Sequence, residues 1–267
     1  MPLARVNGID LYYREFGAGP TLVLAHGLAC GWRMWWPQID RFCRDYRVIA
    51  YDMRGHGRSS APVDESSYSA AHLGQDLIGL LDHLRVERCH IVGFSMGGGP
   101  AMAVALNRPE RVERLILADV GSGAENPWAV TRLAQVWAEH ARVGGMNAMA
   151  DNMLLGEFFK TYARRSPRAR RHMRALITQN PLPGILGILA GVLARRKPLF
   201  RLRGTLARIA VPTLVMAGEH DHVCHKAARL LAKTIPGAIS ARVAGAGHMS
   251  PLEAPDAFYA AVREFLP

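Results

Sequence analysis

Short apolar runs recur along this chain, and most of them close on a glycine-rich loop. TLVLAHG and RVIAYDMRGHG have this form, the pattern of parallel strands buried on both faces. CHIVGF, VERLILADVG, VPTLVMAGEHD and AISARV predict further strands. Between them the period changes. Leu73, Leu77, Leu80, Leu81 and Leu84 fall at helical intervals in SAAHLGQDLIGLLDHL, with Ser69 placed to cap the first turn. MGGGPAMAVAL, KAARLLAKTI and APDAFYAAVREFL predict three more helices. Near the start, Asn7-Gly8 sits between two β-prone runs in RVNGIDLYYREFG, a hairpin signal. Alternation of this kind predicts an α/β fold with a mostly parallel central sheet and helices on both faces. No internal repeat or low-complexity tract breaks it.

The alternation stops between Gly123 and Thr205, where helical stretches follow one another with no convincing strand. This predicts a core domain formed by residues 1–122 and 206–267, and a helical lid or cap inserted as residues 123–205. Charge separates the two parts. The segment 123–205 holds 14 Lys and Arg against 4 Asp and Glu, while the other 184 residues hold 19 against 18. Nearly all of the net charge of +11 therefore lies in the insertion. Its basic run RRSPRARRHMR (Arg164 to Arg174) reads first as a solvated helical surface, and second as a field that steers anionic substrates. With the apolar GILGILAGVLARRK it could also meet anionic lipid. The stretch LPGILGILAGVLA is too short to span a bilayer and contains three glycines, so stable membrane insertion is not expected. Its leucines, Leu186 and Leu189 among them, are expected to roof a substrate pocket, which implies a substrate with a hydrophobic body.

With 267 residues, 49% of them hydrophobic and 21% charged, the chain suits a soluble globular protein with a large core. MPLARVNGIDLYYREFG turns polar at once and does not resemble a signal peptide. Cys30, Cys43, Cys89 and Cys224 lack CxxC spacing, which argues against zinc ribbons and a disulfide framework. A cytoplasmic protein is the expectation. No nucleic-acid motif or aromatic interleaving accompanies the basic residues, so a small-molecule substrate is the expected partner.

The chemistry centres on GFSMGG. A serine in G-x-S-x-G, with a strand before it and a helix after it, sits on a turn so sharp that only small neighbours pass, and its hydroxyl is pushed out at the sheet edge. The helix N-terminus behind Ser95 favours developing negative charge. Such a hydroxyl needs a base and an acid. His248, on the glycine-rich loop of VAGAGHMSPLEAPDAF, is the candidate base; most other histidines, such as His72 and His172, read as solvated. Asp221, just past a strand in LVMAGEHDHV, is the candidate acid. Asp119, ending the strand in LILADVG, is the competing acid and is otherwise expected to order the entry to the insertion. The run from His220 to His225 offers imidazole, carboxylate and thiolate, but neighbouring residues rarely point inward together, so no metal and no cofactor are expected.

These motifs resemble those of the α/β-hydrolase superfamily over essentially the whole chain. LAHGLACGWRMW resembles the family's oxyanion loop, YDMRGHGRSSAP the loop after the next strand, and GFSMGG the nucleophile elbow. GEHDHV and GAGHMSPLEAPDAF resemble its acid and base segments, and the order Ser95, Asp221, His248 is the family's order. The resemblance implies Ser95 as nucleophile, Asp221 as acid and His248 as base, with the backbone N–H groups of Leu28 and Met96 as the oxyanion hole. The chain is similar to lidded bacterial hydrolases that include enol-lactonases, carboxylesterases and carbon–carbon bond hydrolases. A serine nucleophile separates it from dehalogenases and epoxide hydrolases of this fold, which use aspartate. An ester, lactone or thioester hydrolase is the first expectation. An acyltransferase or lyase, or a binding protein with a vestigial triad, are the alternatives.

Overall fold

The computed structural model describes residues 2–121 and 127–267. Its strands are β1 (Leu3–Val6), β2 (Ile9–Phe16), β3 (Thr21–Ala25), β4 (Arg47–Tyr51), β5 (Cys89–Phe94), β6 (Val112–Ala118), β7 (Thr213–Gly218) and β8 (Ile239–Val243). They form one eight-stranded sheet in the order β1-β2-β4-β3-β5-β6-β7-β8. β2 pairs antiparallel with β1 and β4, and every later neighbour is parallel. The expected fold class is the observed one. β5 and β7 are buried along their whole length, as strands covered on both faces must be. The hairpin forms at Asn7-Gly8 as a two-residue turn with φ of 46° and 78°, and Val6 pairs with Ile9 across it.

The helices are α1 (Trp36–Phe42), α2 (Ala70–His83), α3 (Gly98–Asn107), α4 (Pro127–Met153), α5 (Lys160–Ala163), α6 (Pro167–Thr178), α7 (Leu182–Ile188), α8 (Arg203–Leu206), α9 (His225–Thr234), α10 (Ser250–Glu253) and α11 (Pro255–Phe265). Ser69 caps α2 as expected, its hydroxyl accepting the His72 N–H at 3.1 Å. α1 and α10 were not visible in the hydrophobic pattern; each is short and starts beside a proline. A buried ion pair fastens α2 to the loop after β4. Arg54 donates to both carboxylate oxygens of Asp76 at 2.8 Å, and both side chains are within 5% of full burial.

The chain leaves β3 towards β4 on one side and returns to β5 on the other. The loops after β3 and β5 thus part at a switch point, where open α/β sheets form a crevice at the strand C-terminal ends.

Between β6 and β7 the described residues hold helices and turns with no strand. The predicted start of the insertion, residue 123, lies outside the described residues. α4 breaks at Gly144-Gly145, and α7 runs into a π turn at Leu189–Leu193. The glycines of this apolar stretch have a packing role. A Cβ on Gly184 would strike the Gly55 backbone, and Cβ atoms on Gly187 and Gly191 would strike Tyr68. No single helix among the described residues is long and apolar enough to cross a membrane; α6 and Leu182–Leu193 reach that composition only as a pair bent by 86°.

Candidate active site

β5 ends at Phe94, and Ser95 takes φ of 51° before the chain turns into α3. A serine backbone in this region is strained. The turn is also too tight for side chains nearby: a Cβ on Gly97 would run into the Ala25 carbonyl oxygen. Among the described non-glycine residues, Asn7, Ala29, Arg85, Ser95 and Asp119 have positive φ. Ala29, Ser95 and Asp119 follow the C-terminal ends of β3, β5 and β6, so the strain gathers where the crevice forms.

The three candidates from distant loops meet here. His248 Nε2 lies 3.1 Å from Ser95 Oγ, and His248 Nδ1 lies 2.8 Å from Asp221 Oδ2. Asp221 is 2% exposed and His248 4%. Phe94 and Phe158 pack on the imidazole with ring centroids 5.5 and 4.8 Å away, which limits its swing. Leu28 and Met96, the expected oxyanion donors, border the same cavity as Ser95.

Asp119 does not stand in for Asp221, whose carboxylate is the one that meets His248; the entry to the helical segment, which Asp119 is otherwise expected to order, lies outside the described residues. The Asp119 carboxyl accepts the Gly218 N–H at 2.7 Å and a short hydrogen bond from the Ser250 hydroxyl, tying β6 to β7 and α10. Burial, and then the charge of Asp221, push its pKa well above the usual carboxylate range. Burial acts on Asp221 in the same direction. There it is outweighed by the charge and hydrogen bond of His248 and by hydrogen bonds from Asp119 and Cys224, so Asp221 is held below that range. A proton on Asp119 and a charge on Asp221 satisfy both sites.

The run 220–225 splits as its spacing suggests. His220 and His222 are exposed, whereas Asp221 and Cys224 turn inward. Asp221, Cys224 and His248 bring donor atoms within 4.8 Å of one another. They are engaged among themselves: Nδ1 of His248 is on Asp221, and burial first, then the Asp221 charge, holds the Cys224 thiol protonated, far from the thiolate a metal would need.

Several residues that support this constellation were not singled out from the sequence. Glu253 accepts the backbone N–H groups of Gly247 and Met249, one on each side of His248, and so fixes the loop that carries the base. His26 and His56 are completely buried rather than solvated. His26 Nδ1 faces the Gly27 carbonyl at 2.7 Å and so carries the proton, leaving Nε2 to accept from the Met53 N–H at 2.9 Å. His56 accepts the Ala29 N–H at 3.1 Å. Asn180, at the end of α6, reaches the Ala29 carbonyl and the Gly57 N–H, both at 2.9 Å. The loop carrying Leu28 is thus held from both sides. HG in LAHG and in RGHG was the available signal, since each ends or follows an apolar strand.

Ser95 opens into a cavity of about 610 Å³. Its wall bears out the expected roof in part, since Val192 and Leu193 belong to that apolar stretch. Val130, Leu133, Trp137, Phe158, Val192 and Leu193 line it, and Leu186 and Leu189 do not. Leu189 borders a separate groove with Trp128 and Arg142. The basic run is also divided. Arg165 donates to the carbonyls of Glu253 and Gly245, and Arg174 pairs with Asp151 at 3.1 Å, while Arg164, Arg168, Arg170 and Arg171 are exposed.

Known proteins are similar to this chain in sequence and in fold. The sequence profile of a family described as alpha/beta hydrolase fold matches residues 20–255. The 3-oxoadipate enol-lactonase 2 of Acinetobacter baylyi is 32% identical over 260 residues, covering 96% of this chain and 92% of that protein. The crystal structure of the enol-lactonase from Burkholderia xenovorans superposes with a TM-score of 0.87 at 32% identity, covering 99% of both chains. A thermophilic esterase from Thermogutta terrifontis gives a TM-score of 0.87 at 28% identity, covering 99% of this chain and 97% of its own. A profile match across most of the chain, on a sheet with this order and crevice, means that the chain belongs to the alpha/beta hydrolase fold family.

Proposed function

We propose that the protein is a serine hydrolase that cleaves an ester, lactone or thioester of a small, hydrophobic-bodied substrate through an acyl-enzyme. The observation that carries this reading is the line of contacts from Asp221 through His248 to Ser95, 2.8 and 3.1 Å long, opening on a cavity walled by apolar side chains. Ser95 Oγ attacks the carbonyl carbon as its proton passes to His248 Nε2. The oxyanion that forms is met by the N–H groups of Leu28 and Met96, each contributing about 3 kcal/mol in a dry site. Collapse expels the leaving group, which takes the proton from His248. Water then attacks the acyl-enzyme with His248 as base, giving the acid and free Ser95. Asp221 orients the imidazole and balances its transient charge. Residues 123–205 act as a lid over a core of 1–122 and 206–267. Four unpaired cysteines, three of them buried, support a cytoplasmic setting.

Ser95→Ala tests this reading. It is expected to abolish covalent labelling by a fluorophosphonate and to lower turnover of a p-nitrophenyl ester by about 10⁴-fold or more. Labelling that persists in the variant would remove Ser95 from the role of nucleophile.

A further inference from the structure

Among the described residues, the charged ones that border the cavity are all of one sign: Arg195, Arg196, Lys197 and Arg208 line it with Ser95 and His248, and no described Asp or Glu does. Arg195, Lys197 and Arg208 are exposed, where water solvates them and salt screens them. Arg196 is different. It is only partly exposed, and burial pushes its guanidinium below the usual arginine range. Among the described residues, the one ionisable group that acts on it is the Cys224 thiol, whose Sγ lies 3.6 Å from His248 Nδ1. That thiol is held protonated and supplies no negative charge. Arg196 therefore brings a cation to the same cavity wall as the candidate base, with no carboxylate among the described residues to neutralise it.

Its backbone is fixed there. The π turn at Leu189–Leu193 leads directly into this stretch, and the Arg196 N–H donates to the Leu193 carbonyl at 3.2 Å. π turns often mark functional positions, because they re-aim the residues that follow. A half-buried cation with no counter-charge is costly, and the cost falls when a ligand brings the anion. A single planar fork matches a carboxylate, which it can bind with two parallel hydrogen bonds.

We propose that Arg196 is the specificity-determining residue of this cavity and binds a carboxylate that the substrate carries away from its scissile bond. The proposal rests on the serine hydrolase reading and narrows its substrate to one with an apolar body and an anionic end. The exposed Arg195, Lys197 and Arg208 at the rim attract such a substrate without selecting it.

Two ester pairs test this, since the carboxylate could lie on either side of the bond. Mono-p-nitrophenyl glutarate is compared with methyl p-nitrophenyl glutarate, and 4-carboxyphenyl butyrate with its methyl ester. Each kcat/KM is normalised to the rate with hydroxide and measured at high salt, which suppresses steering by the rim. The wild-type protein is expected to prefer the anionic member of at least one pair by about tenfold or more, through KM. Arg196→Gln should lower that anionic-to-neutral ratio by about 10- to 100-fold, the range for a hydrogen bond between charged groups. Arg196→Lys, which keeps the charge and loses the fork, should fall between them. No anionic preference in either pair, or a ratio unchanged in Arg196→Gln, overturns the proposal.

The two readings fail in different ways. If none of the esters turns over and a fluorophosphonate leaves Ser95 unlabelled, the hydrolase reading falls. Calorimetric titration with glutarate then decides on Arg196 by itself. Binding to the wild type that is lost in Arg196→Gln and partly kept in Arg196→Lys supports it, and equal or absent binding in all three rejects it. Melting curves of both variants identify any loss that comes from misfolding.

Discussion

Asp119 and Asp221 follow successive parallel strands and compete for one negative charge. Two carboxylates so close cannot both ionise without a large cost, and the surroundings decide which keeps the proton. Asp221 has His248 against it, while Asp119 has burial and the Asp221 charge. Asp221→Asn is expected to lower kcat by about 10⁴-fold with the fold retained, because the imidazole loses its orienting acceptor. Asp119→Asn should act mainly on stability, and in a pH-dependent way. A carboxyl whose folded pKa is raised contributes its full stabilisation below the unfolded value, near pH 4, and loses it as pH rises through the raised one. The asparagine variant has no such group. The gap in urea midpoint between wild type and Asp119→Asn should therefore shrink as pH rises from about 4. A gap that stays constant would take the proton off Asp119. At this scale Asp221 was legible from its place after a strand. The division of the proton was not, because it depends on burial and on His248, which lies 27 residues from Asp221 in the chain and meets it only in the fold.

Strands and long helices follow from local periodicity, so β3 to β8 and α2, α3, α9 and α11 were legible as patterns. The loop after β3 was not. It is set by hydrogen bonds from Met53 to His26, from Ala29 to His56 and from Asn180 to Ala29, and none of these is local in sequence. The two histidines act here as neutral struts. Burial, followed by the charge of His56, drives His26 well below the ordinary histidine range, and burial lowers His56 to about 4. The unfolded chain takes up protons that the folded chain refuses, so stability should fall as pH drops from about 6.5 towards 4. For His56 alone the shift from 6.5 to about 4 corresponds to about 3 kcal/mol once the window has been crossed. Denaturant midpoints across this range should fall less steeply for His56→Asn, which lacks the titrating group. An equal slope in both proteins would mean that His56 is protonated in the folded state.

Across the whole molecule, the segment between β6 and β7 lines much of the cavity and carries nearly all of the positive charge. The helical stretch between these strands was legible because the alternation of strand and helix lapsed and the composition changed with it. Which of its residues would meet the substrate was not, because an apolar stretch does not reveal what it packs against. Gly184, Gly187 and Gly191 press that stretch onto Gly55 and Tyr68, and Leu189 is turned away from Ser95. The cavity wall comes from α4 and from the residues after Leu189 instead, with Trp137 on the first and Val192 and Leu193 on the second. Shortening a wall side chain removes contacts that a long acyl chain makes and an acetyl group cannot reach. Trp137→Ala, and Val192→Ala with Leu193→Ala, should therefore lower kcat/KM for octanoyl esters more than for acetyl esters. Loss of one or two buried methylene contacts, at about 0.8 kcal/mol each, makes this a change of about 4- to 15-fold in the ratio. Leu189→Ala serves as the contrast. Leu189 is 1% exposed, so truncation should cost about 2–5 kcal/mol of stability and lower the melting temperature. Its ratio of octanoyl to acetyl rates should stay at the wild-type value. If Leu189→Ala shifts chain-length preference and the wall variants do not, the acyl chain lies in the groove beside Trp128 and not above Ser95.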